Sequence, residues 1–230
     1  MQWRGLVAAD AVWCNSAHHR DALVEGLANL ESGRETDSPV DPSAIEARLE
    51  VIHLGIEFDE LAGPPKTARP RRPLVVLNHR WHHDKDLGSV LRALRVALER
   101  GPAFDIALLG DPNNGEAQML EPMIGVLGSA VKMRGFLPRA EYVEVLRRAD
   151  VVVSAARNEN FGLSVVEAVA AGAWPVAPDA LAYPEVIPSR FHPECLYGPG
   201  GLGARLRDVL ARVAEGETAP DGLALSLIHI

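Results

Sequence analysis

Apolar residues recur along this chain in two alternating rhythms. Short runs at 74–77, 105–109, 131–134, 151–154 and 174–177, with a weaker one at 195–197, are too brief for helices. They suit strands buried on both faces of a parallel sheet. Between them, 86–100, 116–127, 139–149, 163–171 and 203–214 place apolar residues at helical spacing. Strand–helix alternation predicts right-handed βαβ units and an α/β, Rossmann-like domain over residues 73–215. Upstream the pattern predicts a helix end at 2–9, a buried strand at 10–14 and a helix at 17–30 that Asn15-Ser16 can cap. A polar loop with Gly33, Pro39 and Pro42 follows, then a short helix to 48 and a strand at 49–53. Pro64, Pro65 and Pro70 make 55–72 a linker between a first unit, 1–54, and the larger domain. Asn113-Asn114-Gly115 reads as a turn.

One stretch, 150–172, organises the rest. Val151–Val153 form a strand, Arg157 to Asn160 a polar loop, and a helix runs on to Gly172, where a left-handed stop is wanted. Such a loop lies at the carboxyl edge of a doubly wound sheet, where ligands bind. Glu159 and Glu167 stand eight positions apart, on either side of a helix start at Phe161-Gly162-Leu163-Ser164. A helix N-terminus presents unpaired amides and a positive dipole end, which seat a diphosphate, and Gly162 allows close approach. The layout suits a nucleotide sugar: one carboxylate for sugar hydroxyls, the amides for the diphosphate, and the other carboxylate for ribose hydroxyls. Two solvated carboxylates beside a helix start are the plain alternative.

Arg80 and Lys85 follow the first strand of the larger domain. Fixed cations there would stabilise the charge that grows on a departing diphosphate, Arg as a planar fork and Lys as a point charge. His79, His82, His83 and Asp84 raise the question of zinc, but they contain no recognised metal pair, so packing roles are expected and no metal. His79 can still face the ligand beside Arg80.

The chain has 230 residues and a net charge of −8, which argues against a broadly basic nucleic-acid surface. The charge is uneven: Lys66, Arg69, Arg71, Arg72, Arg80 and Lys85 face Asp84 alone between 66 and 85. Cys14 and Cys195 are far apart and form neither a metal spacing nor a redox pair, so a reduced, cytoplasmic protein is expected. With no signal peptide and no long apolar span, no membrane insertion is expected.

Asn158-Glu159-Asn-Phe-Gly-Leu-Ser-Val-Val-Glu167-Ala168, followed by Ala171-Gly-Ala-Trp-Pro-Val176, resembles the donor site of retaining GT-B glycosyltransferases. Asn78-His-Arg-Trp-His-His-Asp-Lys-Asp86, Tyr183-Pro-Glu-Val-Ile-Pro188 and Ala8-Ala-Asp-Ala-Val-Trp-Cys-Asn-Ser16 resemble, within that superfamily, the tRNA-queuosine alpha-mannosyltransferases. The resemblance implies a C-terminal donor-binding domain and the tail end of an N-terminal Rossmann-like domain. It implies GDP-mannose as donor, queuosine in a tRNA as acceptor, and no obligatory metal or resident cofactor. Arg80, Lys85 and Glu159 would be catalytic, with His79, Asn160, Phe161, Gly162, Leu163 and Glu167 on the donor. The loop with Gly135, Phe136 and Leu137 would hold the base.

Two complete Rossmann-like domains exceed this length, so the chain is expected to begin inside the first, as an N-terminally truncated piece that alone turns over poorly. Residues 216–230 are expected to be a disordered or artefactual tail, since 225–230 resemble adapter read-through as much as a genuine end. Other expectations are a lipid or glycan acceptor, or an inactive nucleotide-sugar-binding module. The oligomeric state is not encoded in any pattern found.

Overall fold

A computed structural model describes residues 3–32, 42–64, 66, 72–111 and 115–227. The chain forms two compact units, Met1–Gly55 and Ile56–Ile230. Of the features expected from sequence, most of the 31–42 loop, Pro65, Arg69, Pro70, Arg71, Asn113, Asn114 and the last three residues lie outside the described residues.

In the first unit α1 (Trp3–Ala8), β1 (Val12–Cys14), α2 (Ala17–Ser32), α3 (Pro42–Glu46) and β2 (Leu49–Val51) follow in order. β1 and β2 pair in parallel, Val12 opposite Leu49. Ser16 caps α2 as its residue type predicts, its hydroxyl accepting from the His19 amide at 2.9 Å. Cys14, Leu23, Leu27 and Ile45 make a small core. Residues 10–14 were expected to be buried throughout; instead burial alternates, with Cys14 inside and Trp13 66% exposed. Successive side chains of a strand point to opposite faces, and in this two-stranded sheet only the Cys14 face packs on a core.

The second unit carries the α/β, Rossmann-like fold. Its elements are α4 (Phe58–Leu61), β3 (Leu74–Leu77), α5 (Leu87–Arg100), β4 (Asp105–Leu109), α6 (Gly115–Leu127), β5 (Val131–Gly135) and α7 (Arg139–Arg148). Then come β6 (Val151–Val153), α8 (Leu163–Ala170), β7 (Trp174–Pro178), α9 (Tyr183–Val186), α10 (His192–Cys195), β8 (Leu196–Tyr197), α11 (Leu202–Glu215) and α12 (Leu223–Ser226). Six parallel strands lie in the order β5-β4-β3-β6-β7-β8. β3 and β6 are buried along their whole length, as their unbroken apolar runs require. Leu87, Val90, Leu91, Leu94 and Ala97 form the buried stripe of α5; Leu206, Val209, Leu210 and Val213 form that of α11. Edge strand β5 instead alternates, with Lys132 and Arg134 turned outward.

The strand order creates the site. From β3 the chain winds outward through β4 and β5, then returns to β6 and winds the other way. The loops leaving the carboxyl ends of neighbouring β3 and β6 therefore diverge and open a crevice between them.

The reading of 216–230 as a tail differs from what the structure holds. Residues 223–226 form α12, and Leu223 and Leu227 are buried in the core of this unit. The linker also holds a helical turn, α4, that its prolines concealed. Gly172 adopts the left-handed conformation foreseen for it, at φ +88°, and Ala173 N–H closes on Ala168 O at 2.9 Å.

Gly110, after β4, sits at φ +128°, and a Cβ there would lie 2.4 Å from the His79 carbonyl oxygen. It would also lie 2.8 Å from Cδ1 of Trp81, a buried ring whose N–H donates to Leu109 O. The β3 loop crosses over β4 only because this residue has no side chain. Gly110→Ala is expected to cost about 2 kcal/mol or more of stability, from backbone strain plus overlap. Urea denaturation of the variant beside the parent checks this; an unchanged midpoint would show that the crossing tolerates a side chain.

Candidate functional site

A cavity of about 590 Å³ opens where the β3 and β6 loops diverge. Asn78, His79, Arg80 and Lys85 from the β3 loop form one wall. Leu109, Gly110, Phe136, Leu137 and the first turns of α7, with Arg139 and Tyr142, form a second. Glu159, Leu163, Ser164 and Glu167 form the third, around the start of α8. No side chain caps α8; its N-cap is Gly162 at φ +90°. A Cβ on Gly162 would sit 3.0 Å from the Tyr183 ring, which is fully buried and hydrogen-bonded to Ser154 through its hydroxyl at 2.7 Å. The Tyr-Pro-Glu segment thus supports the turn from beneath.

Charge on the first wall is densely paired. Lys85, 8% exposed, donates from Nζ to Asn158 O at 2.7 Å and to Glu159 Oε2 at 3.0 Å, and lies 3.3 Å from Asp84 Oδ2. Asp84 also accepts from Arg80 at 2.9 Å and faces His82 Nδ1 at 2.6 Å. Burial alone would push the Asp84 carboxyl up, but the bonds from Arg80 and His82 and the charge of Lys85 hold it at about 2. The Asp84 carbonyl takes the amides of Arg157 at 2.7 Å and Asn158 at 3.3 Å, and the Arg157 guanidinium returns to Asp86 Oδ2 at 2.8 Å. Asp86 in turn caps α5 through Ser89. The Arg80 side chain is two-thirds exposed and able to turn from Asp84 to an incoming anion.

His79 is buried and pairs through Nδ1 with Ser164 Oγ at 2.8 Å, tying the β3 loop to α8. Burial is the main cause that keeps its imidazole well below the ordinary range; Glu159 and Asp84 oppose the shift and Lys85 adds to it. His79 Nε2 and Asn78 Oδ1 are buried without a protein hydrogen-bond partner. Orphaned polar atoms cost about 1–3 kcal/mol each and concentrate at functional sites.

On the third wall Glu167 is held from α7. Arg139 Nη1 donates to Oε1 at 2.6 Å and the Tyr142 hydroxyl to Oε2 at 2.7 Å. Arg139 reaches at the same time to Glu60 of α4 at 2.8 Å. Phe136, 77% exposed, lies open on the cavity rim.

Of the residues singled out from sequence, Arg80, Lys85, Glu159, His79, Phe136, Leu137, Leu163 and Glu167 meet around this one cavity. Gly135, Asn160, Phe161 and Gly162 lie outside its lining: Phe161 is 2% exposed and packs in the core, and Gly135 ends β5 at φ +107°. Sequence reasoning passed over Arg139 and Tyr142, and it quoted Asn78 and Ser164 only within motifs, with no role of their own. Arg139 and Tyr142 share a helix face at i, i+3, but nothing local distinguishes them from an ordinary surface Arg and a core Tyr. Of the basic stretch, the described members Lys66, Arg72, Arg80 and Lys85 all engage protein acceptors, Lys66 on Ala149 O and Arg72 on Asp105. Among the described residues, no group of three or more His, Cys, Asp or Glu is placed to hold a metal ion, and no helix is long and apolar enough to cross a membrane.

Residues 63–195 match the profile of a family described as "Glycosyl transferases group 1". A tRNA-queuosine alpha-mannosyltransferase of Drosophila melanogaster is 36% identical over 114 residues, which is 50% of this chain and 30% of that protein. A GDP-mannose:cellobiosyl-diphosphopolyprenol alpha-mannosyltransferase of Xanthomonas oryzae pv. oryzae is 30% identical over 135 residues, 58% of this chain and 35% of that protein. The chain thus spans about a third of the length of these relatives. Among solved structures, that of TarM superposes with a TM-score of 0.70 at 17% identity, covering 99% of this chain and 42% of TarM.

The Asp84 carboxyl, held near 2 against 3.8 for a free side chain, makes a pH prediction. A depressed acid contributes stability that is complete above about pH 4 and is lost as pH falls through about 2. Asp84→Asn should therefore be less stable at neutral pH and show a shallower decline between pH 4 and pH 2. Denaturant titrations at stepped pH test this; parallel declines would remove Asp84 as a contributor.

Proposed function

Because the chain belongs to the glycosyl transferases of group 1, we propose that its second unit binds the nucleotide-sugar donor of a retaining GT-B glycosyltransferase, and that the donor is GDP-mannose. The single observation that carries this is the placement of Glu159, Glu167 and the uncapped start of α8 on one cavity, with Lys85 and Arg80 facing them. In this reading the diphosphate lies against the α8 amides and Arg80. Glu159, oriented by Lys85, takes hydroxyls of the sugar, Glu167 takes the ribose, and Phe136 with Leu137 takes the base. Lys85 already has three protein acceptors, so it neutralises the crevice floor as much as it contacts phosphate.

Transfer with retention follows as front-face attack. The acceptor oxygen forms its bond to the anomeric carbon on the face from which the diphosphate departs. The bond from anomeric carbon to phosphate oxygen breaks, and the acceptor proton passes to a donor phosphate oxygen. Arg80 and the helix end act most strongly on the departing charge, which lowers the barrier. The first unit, in the same reading, belongs to the acceptor side, and catalysis requires closure of the two sides.

For the acceptor we favour queuosine of a tRNA, supported by the 36% identity to the Drosophila enzyme and the His-Arg-Trp-x-His-Asp-Lys segment at 79–85. The Xanthomonas relative supports a second reading, a lipid-linked glycan acceptor. Reversing the charge of Arg72 and Arg80 discriminates between them: tRNA retention on filters should weaken under the first reading and stay unchanged under the second.

Calorimetric titration of the chain with GDP, UDP and ADP tests the donor. Selective GDP binding, weakened about tenfold or more by Glu167→Ala and by Arg80→Ala, is the expected result. Preference for UDP would keep the transferase and remove the mannosyl donor, while a folded chain that binds none of the three would overturn the donor site.

A further inference from the structure

We infer that Tyr142 and Arg139 are positioning residues that hold the Glu167 carboxylate in the one orientation able to receive both hydroxyls of a ribose diol; the inference rests on the donor reading of the cavity given above. Asn78 spends both amide protons, one on Ser164 O at 2.7 Å and one on the Tyr142 oxygen at 2.9 Å. The Tyr142 oxygen, accepting there, is left with its own proton to give, and Glu167 Oε2 lies 2.7 Å away. The direction of the chain from Asn78 through Tyr142 to Glu167 is therefore set by the backbone carbonyl at its root.

Burial, reinforced by the negative charge of Glu167, raises the Tyr142 phenol above its ordinary range, which keeps its proton available to Glu167 at neutral pH. The other oxygen of Glu167 is held by Arg139 Nη1 at 2.6 Å. That guanidinium is tethered in turn: its Nε and Nη2 donate to Glu60, and its Cζ lies 5.5 Å from the Tyr142 ring centre.

A carboxylate has about four acceptor sites, two on each oxygen. One site on each oxygen is filled from within the protein, which leaves one on each oxygen for a ligand. Adjacent hydroxyls of a ribose supply two donors side by side and match that remainder. A glutamate on a free stem would have to be ordered at the moment of binding, and fixing it beforehand removes that cost. Arg139 and Tyr142, one turn apart on α7, supply the fixing.

The test compares GDP with 2′,3′-dideoxy-GDP by calorimetry in the parent chain, Tyr142→Phe, Arg139→Ala, Arg139→Lys and Glu167→Gln. Circular dichroism confirms that each variant is folded. The parent should bind GDP more tightly than the dideoxy compound, and Glu167→Gln should abolish the difference. Tyr142→Phe keeps the ring and loses the hydroxyl; it should weaken GDP by about fivefold and leave the dideoxy compound within about twofold. Arg139→Ala should behave likewise, with Arg139→Lys recovering part of the loss. If Tyr142→Phe weakens both ligands alike, or neither, while Glu167→Gln still abolishes the difference, the positioning role is overturned and the donor reading stands. If the parent binds both compounds equally, or Glu167→Gln leaves their difference intact, the ribose assignment falls and the inference with it.

Discussion

The second unit is organised around one buried ammonium. Lys85 stands on the loop after β3, and its acceptors, Asn158 O and Glu159, stand on the loop after β6, with Asp84 of its own loop 3.3 Å away. Without this cation two carboxylates would face each other across a poorly solvated gap, where like charges repel far more strongly than in water. The backbone repeats the stitch, since the amides of Arg157 and Asn158 close on the carbonyl of Asp84. A parallel sheet in this strand order opens at its switch point; the Lys85 cluster ties together the two loops that flank the opening, just before the start of α8.

The larger domain was readable because its inner strands are buried on both faces and its long amphipathic helices on one. Those two conditions write themselves into spacing, and all six strands and five long helices of 73–215 fall where periodicity puts them, within a few residues. What escaped was structure decided by contacts distant in sequence. α4 is one turn among prolines, and nothing in Phe58-Asp-Glu-Leu61 announces that Leu61 will be fully buried or that Glu60 will meet Arg139. Trp13 was read as interior because it falls within the apolar run 10–14; whether a strand's second face is covered depends on what packs there, which a short run alone does not reveal.

The site divides in the same way. Gly162, Glu159 and Glu167 stood out because a glycine, a helix start and two acids at fixed spacing have a joint chemical meaning. Phe161, inside the same motif, turned out to be core, since a motif marks a turn without saying which of its side chains face outward. Tyr142 was invisible, and Asn78 was only the first letter of a motif, for the opposite reason: each looks like an ordinary member of its own helix or loop, and their significance lies in one oxygen shared between elements 64 residues apart. Polar chains of this kind link secondary structures across the sheet, and their members carry no mutual signature along the sequence.

One further feature bears on how such a domain lives at high concentration. An exposed edge strand offers unpaired backbone groups to any other strand that comes near. β5 carries Lys132 and Arg134 on its outward positions, the first near Asp105 and the second bound to Glu121 and lying over Trp81. A second sheet docking there would have to strip water from two cations and dislodge a guanidinium from an indole before making its first backbone bond. Lys132 and Arg134 therefore raise the cost of adding a further strand to this flank.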